Sequence, residues 1–236
     1  MSDLKIEGYE FKSGFKGMAA DAGSDQTMFK GVHWGKAMMW IFLLSDTFIF
    51  SCFLISYMKG RGSTPIDWPN PSKVFALEVG GVSVPLLLIA IMTFVLITSS
   101  GTMALAVKFG YERKRKLCGW LLLATALGGL TFVGMQAFEW SKLIHEGVRP
   151  WTNPFGAEQF GSFFFMITGF HGTHVSIGVI FLSIYAYKTF AGHYDTGKKG
   201  WFTSIKGDYV EIEILGLYWH FVDLVWVFIF AFFYLW

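Results

Sequence analysis

Five separate stretches of this 236-residue chain are almost free of charge. Each exceeds the roughly 20 apolar residues that a helix needs to cross the hydrocarbon core of a bilayer. They run from about Trp34 to Tyr57, Val82 to Val107, Leu117 to Trp140, Gln159 to Tyr187 and Ile212 to Trp236. The expected fold class is therefore all-α, a polytopic transmembrane bundle of five spanning helices. An open sheet edge in lipid would leave backbone groups unpaired, so no sheet is expected. Breakers stand where the bilayer should end: Gly60-Arg61-Gly62-Ser63 and Asp67-Trp68-Pro69-Asn70-Pro71 after the first block, and Arg149-Pro150-Trp151-Thr152-Asn153-Pro154 after the third. Pro85 is placed in the first turn of span two, where a missing N–H costs least. Trp34, Trp140, Trp201 and Trp236 sit near span ends, as an aromatic belt requires.

Composition agrees. Hydrophobic residues make up 53% of the chain and aromatics 19%, while charged residues reach only 15%, against roughly 25% in a soluble domain. No basic tract of the kind that binds nucleic acid occurs. Cys52 and Cys118 form no Cys-x-x-Cys pair and read as buried free thiols. Residues 1–33 form a polar arm with no signal-peptide pattern, and residues 34–236 one helical domain. Thirteen Lys and Arg fall in the arm and the loops after spans two and four, including the cluster Lys108, Arg113, Lys114, Arg115 and Lys116. Five fall in the loops on the other side. This asymmetry places the N-terminus in the cytoplasm.

The informative residues are polar ones inside the blocks. Asp46 lies mid-way along span one, where a charged acid costs roughly 2.5–3.5 kcal/mol. It reads either as helix-joining glue or as a proton-handling group. Gln136 and Glu139, three apart, share a face near the end of span three and read as an interfacial pair or a lipid-headgroup contact, beside Trp140. Ala124 and Gly128 would let another helix approach. Span four carries His171 and His174, whose spacing is compatible with metal ligation. The neighbouring glycines favour packed, hydrogen-bonded imidazoles, so no metal site is assigned. Span five carries Glu213, His220 and Asp223 on one stripe. Such a stripe cannot face lipid, and the expectation is an interhelical polar network with His171 and His174. A di-carboxylate metal enzyme would use Glu-x-x-His on two helices, and no span contains that motif.

Several motifs carry a resemblance. Phe160-Gly161-Ser162-Phe163-Phe164-Phe165 leads into Thr168-Gly169-Phe170-His171-Gly172-Thr173-His174-Val175. Glu213 precedes Tyr218-Trp219-His220-Phe221-Val222-Asp223-Leu224-Val225-Trp226. Gln136-Ala137-Phe138-Glu139 and Ser45-Asp46 complete the set, with Ser100-Gly101 a weaker echo. Over about residues 34–236 the chain resembles subunit III of the haem–copper terminal oxidases, the cytochrome c oxidase subunit III family. Three features depart from the usual pattern: Asp46 stands where Glu is usual, Trp140 where Tyr is usual, and Pro69-Asn70-Pro71 where Pro-Pro-Gly is usual. Many relatives have seven helices, and this chain has five.

The resemblance implies a subunit with no catalytic residue, haem, copper or other redox centre of its own. Haem and copper belong to partner subunits. The chain would pack on subunit I and beside subunit II in a bacterial inner membrane, bind phospholipid, support proton uptake, and take part in a complex that reduces oxygen to water and pumps protons. A larger respiratory supercomplex is a further partner of this kind. Phe170 before His171 leans toward cytochrome c as electron donor, with a quinol oxidase subunit III as the alternative. A free-standing transporter is opposed by the lack of an inverted repeat. An independent haem protein would use His174 and His220 as ligands.

Overall fold

The computed structural model describes residues 33–79, 82–194 and 209–235. The polar arm before His33, Trp201 and Trp236 lie outside the described residues. The elements run α1 (Trp34–Ser63), a short α2 (Pro71–Val74), β1 (Ala76–Val79), β2 (Val82–Pro85), α3 (Leu87–Tyr111), α4 (Arg115–His145), α5 (Gln159–Phe190) and α6 (Val210–Phe230), which continues through a π-helical turn, Ala231–Leu235. Five of these, α1, α3, α4, α5 and α6, are long and apolar enough to cross a membrane.

Two boundaries depart from the sequence reading. Gly60-Arg61-Gly62-Ser63 does not end the first span: α1 continues through Ser63, carried by the i to i−4 bonds of a helix that meets no proline until Pro65. Span two does not begin at Val82. Residues Val82–Pro85 instead pair antiparallel with Ala76–Val79, Pro85 opposite Ala76. Pro85 thus closes a strand rather than opening a helix. The hairpin is compatible with the bilayer rule because it lies in the connection between spans, where water can satisfy its edges. Gly80-Gly81 between the strands, a dipeptide favoured in tight hairpins, is the signal that marks it. Leu86 then adopts a left-handed backbone, φ 60°, a conformation that costs an L residue roughly 1–2 kcal/mol. Its carbonyl accepts from Ala90 at 3.0 Å and starts α3.

Other ends are built from ordinary caps. The His33 ring accepts from the Gly35 amide at 3.2 Å. Asn70 caps α2 through Ser72, with Pro71 in its first turn. Between α3 and α4 the chain reverses in three residues, and exposed Glu112 bonds Lys114 at 2.8 Å, which holds its carboxyl below the usual carboxylate range. Gly192, at φ 73°, ends α5, with His193 N bonding back to the Lys188 carbonyl.

The core is organised by α6, which packs against α1, α3 and α5. Its two buried tryptophans each donate an indole N–H to a hydroxyl on α3: Trp219 to Ser99 at 3.1 Å and Trp226 to Thr93 at 3.0 Å. The partner numbers fall as the tryptophan numbers rise, so the two helices run antiparallel in one register. Trp219 reaches this position because Gly129 on α4 and Gly178 on α5 leave room for it. A Cβ at Gly178 would lie 2.8 Å from the indole. Gly128, as expected, admits a neighbour, with Ser99 2.8 Å from where its Cβ would be. Ala124 is exposed, so that expected pair works only at its glycine. Cys118 is buried and free, whereas Cys52 is free but exposed, not buried as expected.

Replacing Gly178 by Val should overpack this junction. The expected loss is about 1–3 kcal/mol, read as a lower melting temperature of the detergent-solubilised protein. An unchanged melting curve would show that Trp219 has room to move.

Candidate functional site

Asp46 lies near the middle of α1 and is buried, at 3% exposure. It faces α5, where His174 Nε2 stands 3.4 Å from its Oδ2. The His174 ring is fixed from its other side: Nδ1 lies 2.9 Å from the Phe170 carbonyl. A carbonyl only accepts, so Nδ1 carries a proton. Nε2 is therefore the ring nitrogen that faces the Asp46 carboxyl. The contact is within ion-pair reach without hydrogen-bond alignment, since Oδ2 makes no hydrogen bond among the described residues. Tyr218 of α6 donates its hydroxyl to the His174 carbonyl oxygen at 2.9 Å, which ties the third helix to the pair.

His171, one turn before His174, is buried in an aromatic box. Its ring stacks on Trp226 at 5.3 Å and meets Phe132 at 5.8 Å and Phe50 at 6.4 Å, both edge-on. Neither ring nitrogen has a hydrogen-bond partner among the described residues. The two histidines share a helix face as expected, but they play different parts. One is paired with an acid and the other is packed among rings.

The second polar centre lies at the far end of α4. Gln136 donates to Glu139 at 3.0 Å, and Tyr234, in the π-helical turn, donates to the same carboxylate oxygen at 3.2 Å. Glu139 is 3% exposed, so the pair belongs inside the bundle rather than to a headgroup contact. Trp140 donates to Thr168 of α5 at 3.2 Å and so joins helices as well as marking a span end.

The stripe on α6 does not form the network expected of it. Glu213 bonds Lys36 of α1 at 2.6 Å and accepts from the Tyr111 hydroxyl of α3. His220 is exposed, and its Nδ1 lies 2.6 Å from the Ser100 hydroxyl of α3. Asp223 neighbours that same serine and His220. None of the three meets His171 or His174. The physical reason is rotational: α6 turns Tyr218 and Trp226 toward α5, which leaves the 213–220–223 stripe on the side of α1 and α3. Near its start α6 is also clamped to α5. Glu211 accepts from Lys188 at 3.4 Å and from the Tyr194 hydroxyl at 3.0 Å, and burial together with this carboxylate pushes the tyrosine hydroxyl well above its ordinary range. His174 and His220 thus have different partners on different helices, which does not suit a shared haem. Among the described residues no three His, Cys, Asp or Glu side chains gather closely enough to hold a metal ion.

Sequence reasoning missed Tyr218, Tyr234, Ser99 and Thr93. The signal for the last two is spacing. Hydroxyls six apart on α3 answer tryptophans seven apart on α6, the pattern of two antiparallel helices in contact. Tyr218 and Tyr234 carry no such signal, because their partners are fixed only by the packing.

Comparison with known proteins identifies the family. The model of the family described as cytochrome c oxidase subunit III matches residues 13–236. A probable quinol oxidase subunit 3 of Staphylococcus saprophyticus is 29% identical over 215 residues, covering 91% of this chain and 94% of the relative. Its counterpart in Staphylococcus aureus strain USA300 is 30% identical over 199 residues, covering 83% of this chain and 86% of the relative. Five membrane-crossing helices and a match over almost the whole length agree: the chain belongs to the cytochrome c oxidase subunit III family, as a multi-pass membrane subunit of a haem–copper oxidase that associates with other oxidase subunits.

Proposed function

We propose that this chain is the non-redox subunit III of an aerobic respiratory oxidase in a bacterial cell membrane, where it stabilises subunit I, binds lipid and supports proton uptake for oxygen reduction. The observation that carries the proton-handling part is the Asp46–His174 pair. A buried carboxyl and an imidazole 3.4 Å apart carry no net charge when they hold one titratable proton between them, so the pair can keep a proton inside the span at low electrostatic cost. Lipid binding is supported by the large apolar side chains that α1 exposes, among them Ile41, Phe48 and Ile49. Haem and copper reside in the partner subunits on this reading, and the helix orientation is N-terminus inward.

The donor has two readings. Cytochrome c is favoured by Phe170 immediately before His171 in the family motif. A quinol is favoured by the names of the two staphylococcal relatives. The donor is bound by another subunit, so purification of the complex in mild detergent tests the whole proposal. The purified complex is expected to contain subunits I and II with a haem spectrum, while the chain purified alone shows no Soret band. Oxidation of reduced cytochrome c selects the first donor, and oxidation of a quinol without cytochrome c the second. A Soret band or stoichiometric metal that stays with the isolated chain would overturn the non-redox assignment.

Asp46→Asn keeps the size of the side chain and removes its exchangeable proton. The variant complex is expected to keep its haem content and most of its initial turnover, but to lose activity faster over many turnovers. Oxygen-consumption traces measured beside the unmodified complex check this. Superimposable traces would reduce Asp46 to a packing residue, and loss of the haem spectrum would make its role one of assembly.

The orientation is open to a separate test. A single cysteine placed in the Lys108–Lys116 loop of a chain otherwise free of cysteine should resist an impermeant maleimide added to intact cells. It should react once the membrane is opened. Labelling from outside would reverse the topology.

A further inference from the structure

The lipid-facing surfaces of the bundle satisfy their own polar groups. Ser45, Thr98, Thr131, Thr173 and Ser183 are exposed on the spanning helices. Each donates its hydroxyl to a carbonyl one turn earlier in its own helix, at 2.7 to 2.9 Å. A group bonded in this way can face hydrocarbon at little cost.

His220 breaks the pattern. It lies ten residues into α6, about 15 Å along the axis, and therefore at mid-bilayer depth. It is exposed, and only its Nδ1 is engaged, by Ser100 of α3. Its Nε2 has no partner among the described residues. Asp223, one turn on, stands beside the same serine, and its Oδ1 also lacks a partner among the described residues. Water is not available at this depth, and a hydrocarbon chain offers no hydrogen bond.

The surroundings are shaped to receive something. His220 lines a groove of about 680 Å³ between α1 and α6, walled by Leu43, Leu54 and Met58 on one side and Leu217, Leu224 and Phe228 on the other. The groove follows α1 from Trp40 to Met58, about 27 Å of helix, which is close to the thickness of the hydrocarbon core. On the α1 side the small residues Thr47 and Ser51, one turn apart, face it, and the Thr47 hydroxyl is already bonded to the Leu43 carbonyl at 2.7 Å. Small residues at this spacing allow a helix backbone to come close. Acyl chains would fill the apolar length but would leave the imidazole unpaired.

The geometry points to this groove as the docking face for one transmembrane helix of another oxidase subunit, a helix that brings a hydrogen-bonding side chain to His220 at mid-bilayer depth. The inference rests on the chain assembling with other oxidase subunits. The partner residue is one that both donates and accepts, such as a hydroxyl or a carboxamide, since it meets an imidazole flanked by a carboxyl.

The test places a photoreactive residue at Leu224, on the groove face one turn from His220, in cells that make the whole oxidase. Illumination is expected to join the chain to another subunit. His220→Leu should cut the yield of that adduct by about fivefold or more, whereas His220→Gln, which keeps a hydrogen bond, should retain it. Within this chain's own bundle His220→Leu gives up only the Ser100 contact and the neighbouring Asp223, so the isolated chain should melt no more than slightly lower. A Leu224 probe that reacts only with lipid in an assembled complex would overturn the inference, as would a His220→Leu variant whose adduct forms normally or whose isolated chain melts far lower. A tagged but unmodified chain that retains no other oxidase subunit would instead overturn the assembly reading, and this inference with it.

Discussion

Hydrocarbon offers nothing to accept or donate a hydrogen bond, and each polar group in these five helices is arranged around that fact. Backbone groups are satisfied by helix formation. Hydroxyls on the outer faces bend back onto carbonyls of their own helix. Larger groups, such as the indoles of Trp219 and Trp226, the His174 imidazole and several carboxyls, find partners on neighbouring helices, while His171 is packed among aromatic rings. Those partners then fix how the helices meet. Trp219 with Ser99 and Trp226 with Thr93 set the register of α6 on α3. Asp46 with His174, and Tyr218 with the His174 carbonyl, bind α1 and α6 to α5. The Gln136–Glu139–Tyr234 cluster secures the far end of α6 to α4. A soluble bundle could distribute this work among many interchangeable apolar contacts. Here a few polar contacts give the orientation, because apolar surface against apolar lipid supplies little preference.

This division explains which features were legible in the sequence. The number of helices and their class follow from uninterrupted apolar length, which is a local property. The short hairpin was hidden because Val82, Val84 and the apolar run after Leu86 read as one block, although Gly80-Gly81 marks a turn. The burial of Asp46 was legible, since an acid in the middle of a span has nowhere else to go, whereas Glu139 near a span end could equally have met a headgroup. Their partners were not. The stripe of Glu213, His220 and Asp223 is correctly read as shared by one helix face. The direction of that face depends on how α6 is rotated about its axis, and the rotation is set by Trp219 filling the space left by Gly129 and Gly178. Three helices must be in place before this can be seen. His171 and His174 show the same limit, because a spacing of three residues fixes a common side but not whether an acid or an aromatic ring lies opposite.

The position of α6 has a consequence for biogenesis. A membrane chain enters the bilayer in order of synthesis, and α6 follows the four other spanning helices. Until it arrives, Ser99 and Thr93 lack their indole partners, Gly129 and Gly178 border an unfilled gap, and the His171 ring lacks the stacked face of Trp226. The first four spans can be threaded into the membrane as separate apolar helices, but they hold an incomplete interior until α6 is inserted. Completion of this interior therefore waits for α6. A chain cut short before Val210 would be fully inserted and yet would present to quality-control proteases the loose packing and unfilled interior of an unfinished protein.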